Sequence, residues 1–161
     1  MKKLLTAICF LSILSSSAQQ ATTDDVNLVQ AMFGKDKRDL MQEYMQFKDT
    51  AKANAFWRTY DRYEVERKAL GKDFVAILQD YAKHYSTLND AKADNLVMRS
   101  SANNMAFENL YKKYYGKMKP LIGSLKASQW LQLEGYLRGA VKTHILGQIP
   151  FIGQIDRSQV K

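Results

Sequence analysis

The feature that most constrains this chain is a run of apolar and aromatic residues spaced three and four positions apart. Its members are Ala53, Phe56, Tyr60, Tyr63, Arg67, Leu70, Phe74, Ile77 and Tyr81. The spacing follows the helical turn for about eight turns, which predicts one long amphipathic helix from near Asp49 to about Tyr85. The apolar stripe of such a helix requires a partner surface.

Positions along this stripe are expected to differ in burial. Phe56 and Trp57 are predicted to lie in the core, because most amphipathic helices face a core. Tyr63 is predicted to be partly exposed, since charged neighbours offer its hydroxyl polar company. Arg67 lies on the stripe itself, where it either extends to the surface or pairs with an acid from a neighbouring helix.

The other segments with clear periodicity are also helical. They are a short helix that stops at Gly34, a helix over 35–46, a long helix from Asn89 to Pro120, and a final helix from Ser124. The pattern leaves open whether the first two are separate. Strand-like alternation and hairpin dipeptides are absent from the sequence. The predicted fold class is all-α, an elongated bundle or hairpin of about four helices, two of them long.

The first eighteen residues predict export. Lys2 and Lys3 precede an apolar run and a group of small residues that ends at Ala18, which is the pattern of a signal peptide cleaved before Gln19. A retained anchor is disfavoured, because the apolar run is about half as long as a bilayer span. We therefore expect a periplasmic protein, or a secreted one. The predicted organisation is a signal peptide (1–18), a flexible N-terminal segment with a short helix (19–34), a helical domain (35–152) and a C-terminal tail (153–161).

Charge limits the partners of the exported chain. The formal net charge is +8, and cleavage would remove two lysines and leave +6. Cleavage would also remove Cys9, the only cysteine, so stability must come from packing. In an envelope compartment the anionic partners are unfolded or acidic polypeptides and a lipid or lipopolysaccharide surface, and nucleic acid is not expected.

The sequence offers no constellation for catalysis or metal binding. His84 and His144 are the only histidines and lie far apart, whereas a zinc site needs several clustered ligands. Glu134 is expected to be a structural acid that faces Arg67 or Arg138. The methionines of the mature chain are dispersed and are assigned to packing: Met32, Met41, Met45, Met98, Met105 and Met118. We predict a protein that is not an enzyme and that needs no metal or cofactor.

Short motifs give a family resemblance. Residues 125–129 read LKASQ, which keeps the leucine and glutamine of an LTxxQ motif, and 47–51 and 88–92 are more degenerate versions. The pairs Phe56-Trp57 and Leu70-Gly71 add to this pattern, which covers roughly 39–152. In these features the chain resembles an uncharacterised envelope branch of the Spy/CpxP-like periplasmic helical proteins. The resemblance implies helical hairpins, often paired as a cradle-shaped homodimer, that bind unfolded or stress-damaged polypeptides without ATP.

Three function classes follow from these observations. The first is an ATP-independent, chaperone-like protein that binds polypeptides, or an envelope-stress protein, with a candidate binding or dimer face at Tyr60, Tyr63, Arg67 and Tyr81. The second is a periplasmic sensor that represses a membrane signalling protein. The third is a structural protein that binds anionic envelope surfaces. The sequence alone does not separate the second class from the third.

Overall fold

The computed structural model describes residues 25–159, and the predicted signal peptide with Cys9 lies outside them. The fold is all-α, as predicted, and its helices pack against one another. The helices are α1 (Asp25–Phe33), α2 (Lys37–Met45), α3 (Thr50–His84), α4 (Asp90–Ile122), α5 (Ser124–Leu146) and α6 (Ile152–Gln159), with a 3₁₀ turn at Tyr85–Thr87.

Local sequence signals set the ends of the two long helices. The Asp49 carboxylate accepts hydrogen bonds from the backbone N–H groups of Ala51 and Lys52 at 2.8 and 3.1 Å and so caps α3. The Asn89 side chain accepts one from the backbone N–H of Lys92 at 2.9 Å and caps α4. Gly123, at φ +83°, ends α4 in a conformation that a side chain would disfavour.

Helices α3 and α4 form an antiparallel hairpin. The Asn103 side chain of α4 donates to the backbone carbonyl of Leu70 in α3 at 3.0 Å. Ten residues further along α4, Lys113 binds Glu66, which precedes Leu70 in α3. At 1.5 Å per residue, the 35 residues of α3 extend over about 52 Å. Helix α5 then packs on α4, α2 and α1.

The buried apolar residues form two clusters. The aromatic core joins α2, α3, α4 and α5 and consists of Met41, Met45, Phe56, Tyr60, Tyr63, Phe107, Leu110, Tyr111, Tyr114, Met118, Ile122, Ala127 and Trp130. A second core fastens α1 and α2 to α5 and consists of Leu28, Val29, Leu40, Leu137 and Val141. The aromatic core lies toward the end of the hairpin where α4 turns into α5, and the second core lies further along α5, next to Arg138, which contacts Asn104 and Phe107 in the middle of α4.

Two points of the helix prediction are resolved or corrected. Helices α1 and α2 are separate, because Gly34 adopts φ +68° between them and turns the chain. The predicted C-terminal tail (153–161) is helical over most of its length, because α6 occupies Ile152–Gln159. Its backbone folds back closely on Gly147, where a Cβ at Gly153 would lie 2.5 Å from the carbonyl oxygen of Gly147.

Candidate functional site

The four residues predicted to form a binding or dimer face do not lie on one open surface. Tyr60, Tyr63 and Arg67 are buried, whereas Tyr81 is partly exposed on the far half of α3. A polypeptide could reach the first three only if the helices that cover them moved apart. The structure therefore brings Tyr60, Tyr63 and Arg67 together inside the protein and leaves Tyr81 apart from them.

The expectation that Tyr63 is partly exposed is wrong. Its ring is 0% exposed and packs edge-on against Trp130, with ring centres 5.1 Å apart. Its hydroxyl has a polar partner inside the protein, because it donates a hydrogen bond to Glu134 Oε2 at 2.7 Å. The prediction for Phe56 is confirmed, since it is fully buried, while Trp57 packs against the aromatic core and is only partly buried.

Beside Tyr63 lies a buried charge cluster formed by Lys37, Glu64, Arg67 and Glu134. The Lys37 ammonium donates to Glu134 Oε2 at 2.6 Å and to Glu64 Oε1 at 2.7 Å. The Arg67 guanidinium donates to both oxygens of Glu64, at 2.8 and 3.2 Å. Two cations and two carboxylates thus neutralise one another, which is the condition under which charges are tolerated in a protein interior.

Burial and the charges of the cluster shift the pKa values of Glu64 and of the two neighbouring tyrosines, Tyr60 and Tyr63. Burial by itself raises the pKa of Glu64, but the charges of Lys37 and Arg67 and their hydrogen bonds lower it below the ordinary value of 4.5. Burial, followed by the charge of Glu134, raises the pKa values of Tyr60 and Tyr63. Both tyrosines therefore stay neutral at neutral pH, and the carboxylate of Glu64 stays charged to a lower pH than an ordinary glutamate does.

Sequence reasoning found one acid of this cluster and missed its main cation. Glu134 is buried and paired, as expected of a structural acid, and it accepts a hydrogen bond from Lys37. Lys37 was not singled out, because a lysine near the start of a short polar helix has no local signal of burial. Arg138, the other predicted partner, instead donates to Asn104 at 3.0 Å and lies over the Phe107 ring.

The cluster borders a small cavity between α3 and α5. Lys37, Arg67 and Glu134 line the cavity together with apolar residues, and its volume is about 50 Å³. That space admits a few water molecules, whereas sites for drug-sized ligands measure about 300–1,000 Å³. Glu134 Oε1 and the Tyr60 hydroxyl accept or donate no hydrogen bond among the described residues, so a water molecule could satisfy them. The hydrogen bonds of Lys37 to Glu64 and Glu134 therefore hold α2 against α3 and α5.

An open apolar surface lies elsewhere, on the outer face of α4. Val97, Met98 and Met105 are 61–70% exposed; Met98 and Met105 lie seven residues apart on one side of α4, and Val97 precedes Met98 directly. A shallow groove, here called the α4 groove, is lined by Val97, Ser100, Ser101, Asn104, Met105, Glu108 and Asn109. The assignment of every methionine to packing is therefore wrong for Met98 and Met105, and Met32 is also 40% exposed, whereas Met41, Met45 and Met118 are buried.

Neither histidine belongs to a metal site within residues 25–159. His84 Nδ1 lies 3.0 Å from the Asp80 carboxylate, and His144 Nε2 lies 2.8 Å from the Gln148 amide nitrogen. In the described part of the chain, no three His, Cys, Asp or Glu side chains are placed to hold a metal ion together. Among the described helices, none combines the length and the apolar character needed to cross a membrane.

Comparison of this chain with protein-family models, with curated proteins and with solved structures found no match.

Proposed function

We propose that this protein binds unfolded polypeptides without ATP, and that the α4 groove is the surface that holds them. The observation that carries the proposal is the exposure of three apolar side chains: Val97 and Met105, which line the groove, and Met98 beside it. Small and polar residues, among them Ser101 and Asn104, lie between them and leave the backbone of α4 open to a partner. A surface of this kind accepts many sequences, because methionine adapts to differently shaped neighbours.

The expected strength of the contact suits transient holding. Burial of the exposed 61–70% of these three side chains yields about 3–6 kcal/mol in total. Association costs about 4–15 kcal/mol in lost freedom of motion, so the groove alone would bind weakly and release readily. The positive net charge of the chain adds long-range attraction to acidic clients, which salt screens over about 8–10 Å.

This placement revises the surface expected from sequence while retaining the proposed activity. Tyr60 and Tyr63 pack in the aromatic core. The proposed client-binding surface is therefore on α4, on the side that faces away from α3. A homodimer through the α4 groove would compete with clients for the same apolar side chains. The sensor class requires a specific membrane partner, and no feature of residues 25–159 favours one.

The test is an aggregation assay with two unrelated unfolded clients at low and moderate salt. We expect the protein to slow aggregation of both clients without nucleotide, and less effectively at the higher salt concentration. A variant that combines Val97→Ser, Met98→Ser and Met105→Ser should lose most of this activity and keep its helical circular dichroism and melting temperature.

Val65→Ser is the matched control, because Val65 is 72% exposed on α3 and lies outside the α4 groove. This control should suppress aggregation as well as the parent does. If the parent leaves the aggregation rate unchanged at excess protein, the polypeptide-binding proposal fails. If the triple variant is as active as the parent, the activity lies on another surface.

A further inference from the structure

The cations of this protein are concentrated at one end of the hairpin. Residues 109–133 contain five lysines and no acidic residue, whereas residues 72–104 contain four basic and four acidic residues. Because α3 and α4 are antiparallel, the first turns of α3 lie beside the last turns of α4 and bring Lys52 and Arg58 to the same end. We call this region, from the start of α3 to Arg62 together with 109–133, the basic end.

Most of these cations are not neutralised by neighbours. Lys113 pairs with Glu66 at 2.7 Å, and Asp61, the one acid between the start of α3 and Arg62, pairs with Arg38 from α2. Among the described residues, Lys112, Lys117 and Lys119 form no ion pair with a carboxylate, and all three are exposed. Lys117 lies over the Tyr114 ring at 4.8 Å, a contact that leaves its charge without a carboxylate partner, so all three ammonium groups can meet an anionic partner.

Two exposed leucines lie at the basic end. Leu121 and Leu125 flank the turn at Gly123 and are 38% and 73% exposed, and neither belongs to the aromatic core or the second core. Helical rise places Lys112 within about 15 Å of Leu121 along the axis of α4. Exposed leucines surrounded by lysines are the combination that interfacial membrane-binding segments use, with the apolar groups below the headgroups and the cations at their level.

We infer that the basic end docks on an anionic lipid bilayer, with Leu121 and Leu125 entering the headgroup region, Lys117 and Lys119 contacting lipid phosphates, and Lys112 attracted to them from further along α4. A soluble polyanion would use the lysines alone and would leave the two leucines without a partner. Docked in this way, the protein would hold Met105, sixteen residues before Leu121, about 24 Å along α4 from the bilayer surface. The inference does not depend on the proposed polypeptide binding.

Co-sedimentation of the full chain with vesicles tests the inference. We expect binding to vesicles that contain phosphatidylglycerol and much weaker binding to vesicles of phosphatidylcholine alone. Each lysine near an anionic surface contributes about fivefold in affinity, the equivalent of about 1 kcal/mol. Lys117→Glu combined with Lys119→Glu should therefore lower vesicle affinity by at least about 25-fold, and Leu125→Ser should lower it several-fold.

A matched control has the same change in net charge at the other end of the hairpin. Lys72→Glu combined with Lys83→Glu alters two exposed lysines of α3 in the charge-balanced region. Its affinity for anionic vesicles should stay within about threefold of the parent, because screening confines each charge to its neighbourhood. The first 18 residues are common to every variant, so their contribution to binding cancels in the comparison.

Three results would overturn the inference: no binding to the anionic vesicles, an equal loss in both charge variants, or unchanged binding of Leu125→Ser combined with equally tight binding of soluble poly-glutamate. The second result would show a response to total charge instead of a docking site, and the third would show a site for anionic polymers. Circular dichroism and thermal melting of each variant would establish that it is folded.

Discussion

The two ends of the α3–α4 hairpin differ in both packing and charge. The basic end surrounds the aromatic core and displays unpaired lysines, whereas the hairpin tip, residues 72–104, is charge-balanced and buries only Ile77, Leu78, Leu96 and Asn103 among its described side chains. At the tip, Asp80 binds Lys92 and Arg99, each at 2.7 Å, on the surface. Like charges repel one another and destabilise a compact state. The excess of cations lies over the larger of the two cores, whose packing offsets this repulsion.

The largest expected effect comes from the aromatic core. Phe56→Ala should lower the free energy of unfolding by about 3–5 kcal/mol, because a fully buried ring is removed and a cavity is left. Urea denaturation measures this loss. A loss below about 1 kcal/mol would be typical of a surface position and would show that the basic end is not the more strongly packed one.

Disruption of the buried charge cluster should lower the free energy of unfolding by a similar amount, and a second substitution should restore part of it. Lys37→Met should cost about 3–5 kcal/mol, because Glu134 would be left buried without its cation. Adding Glu134→Gln should recover part of the loss, since the unpaired charge is then removed.

Lys35→Met is the control for this variant. Lys35 pairs with Glu43 on the surface, at 2.5 Å with both side chains about half exposed, and its loss should change stability little. If the double variant were less stable than Lys37→Met alone, the two residues would not be coupled as the structure shows.

The lowered pKa of Glu64 predicts a defined acid sensitivity. Because the folded value lies below the ordinary 4.5, the stability that Glu64 contributes is complete above that pH and is lost as the pH falls through the folded value. Urea unfolding in a series from neutral pH to acid should show this decline. The decline should be shallower in Glu64→Gln, and an identical pH dependence in the two proteins would contradict the assignment.

The smallest effect is expected at the tip. Hydrogen bonds from Lys92 and then Arg99 lower the pKa of Asp80 to about 2 from 3.8, so its contribution is present above pH 3.8 and is lost between 3.8 and about 2. Asp80→Asn should speed amide exchange near residues 80–99 and leave the melting temperature almost unchanged. A drop in melting temperature as large as that of Lys37→Met would show that the tip holds the fold as firmly as the basic end does.

Sequence patterns predicted the parts of this structure that depend on local signals. The three-and-four spacing located α3 to within one residue at each end, and the caps Asp49 and Asn89 lie where their side-chain chemistry indicates. The burial of Lys37 could not be read in this way, because its partner Glu134 is 97 residues away and only the tertiary fold brings them together.

Exposure was also hard to predict where it depends on what covers a helix. Tyr63 has charged neighbours in sequence, yet Trp130 of α5 covers it. Met98 and Met105 have the composition of a core, yet no described helix packs over them, and they lie off the stripe that α4 turns toward α3. Hydrophobic character predicts which residues favour burial, and the order in which helices pack decides which of them obtain it.

The central claim is that the two halves of the hairpin serve different partners, with the basic end binding an anionic bilayer and the α4 groove holding unfolded chains. Its most direct test uses an environment-sensitive fluorophore on Leu125→Cys or on Met105→Cys, each in a Cys9→Ser chain. The account predicts that the label at position 125 responds to phosphatidylglycerol vesicles and the label at 105 to an unfolded client. If both labels responded to the same partner, or the responses were exchanged, the claim would be contradicted.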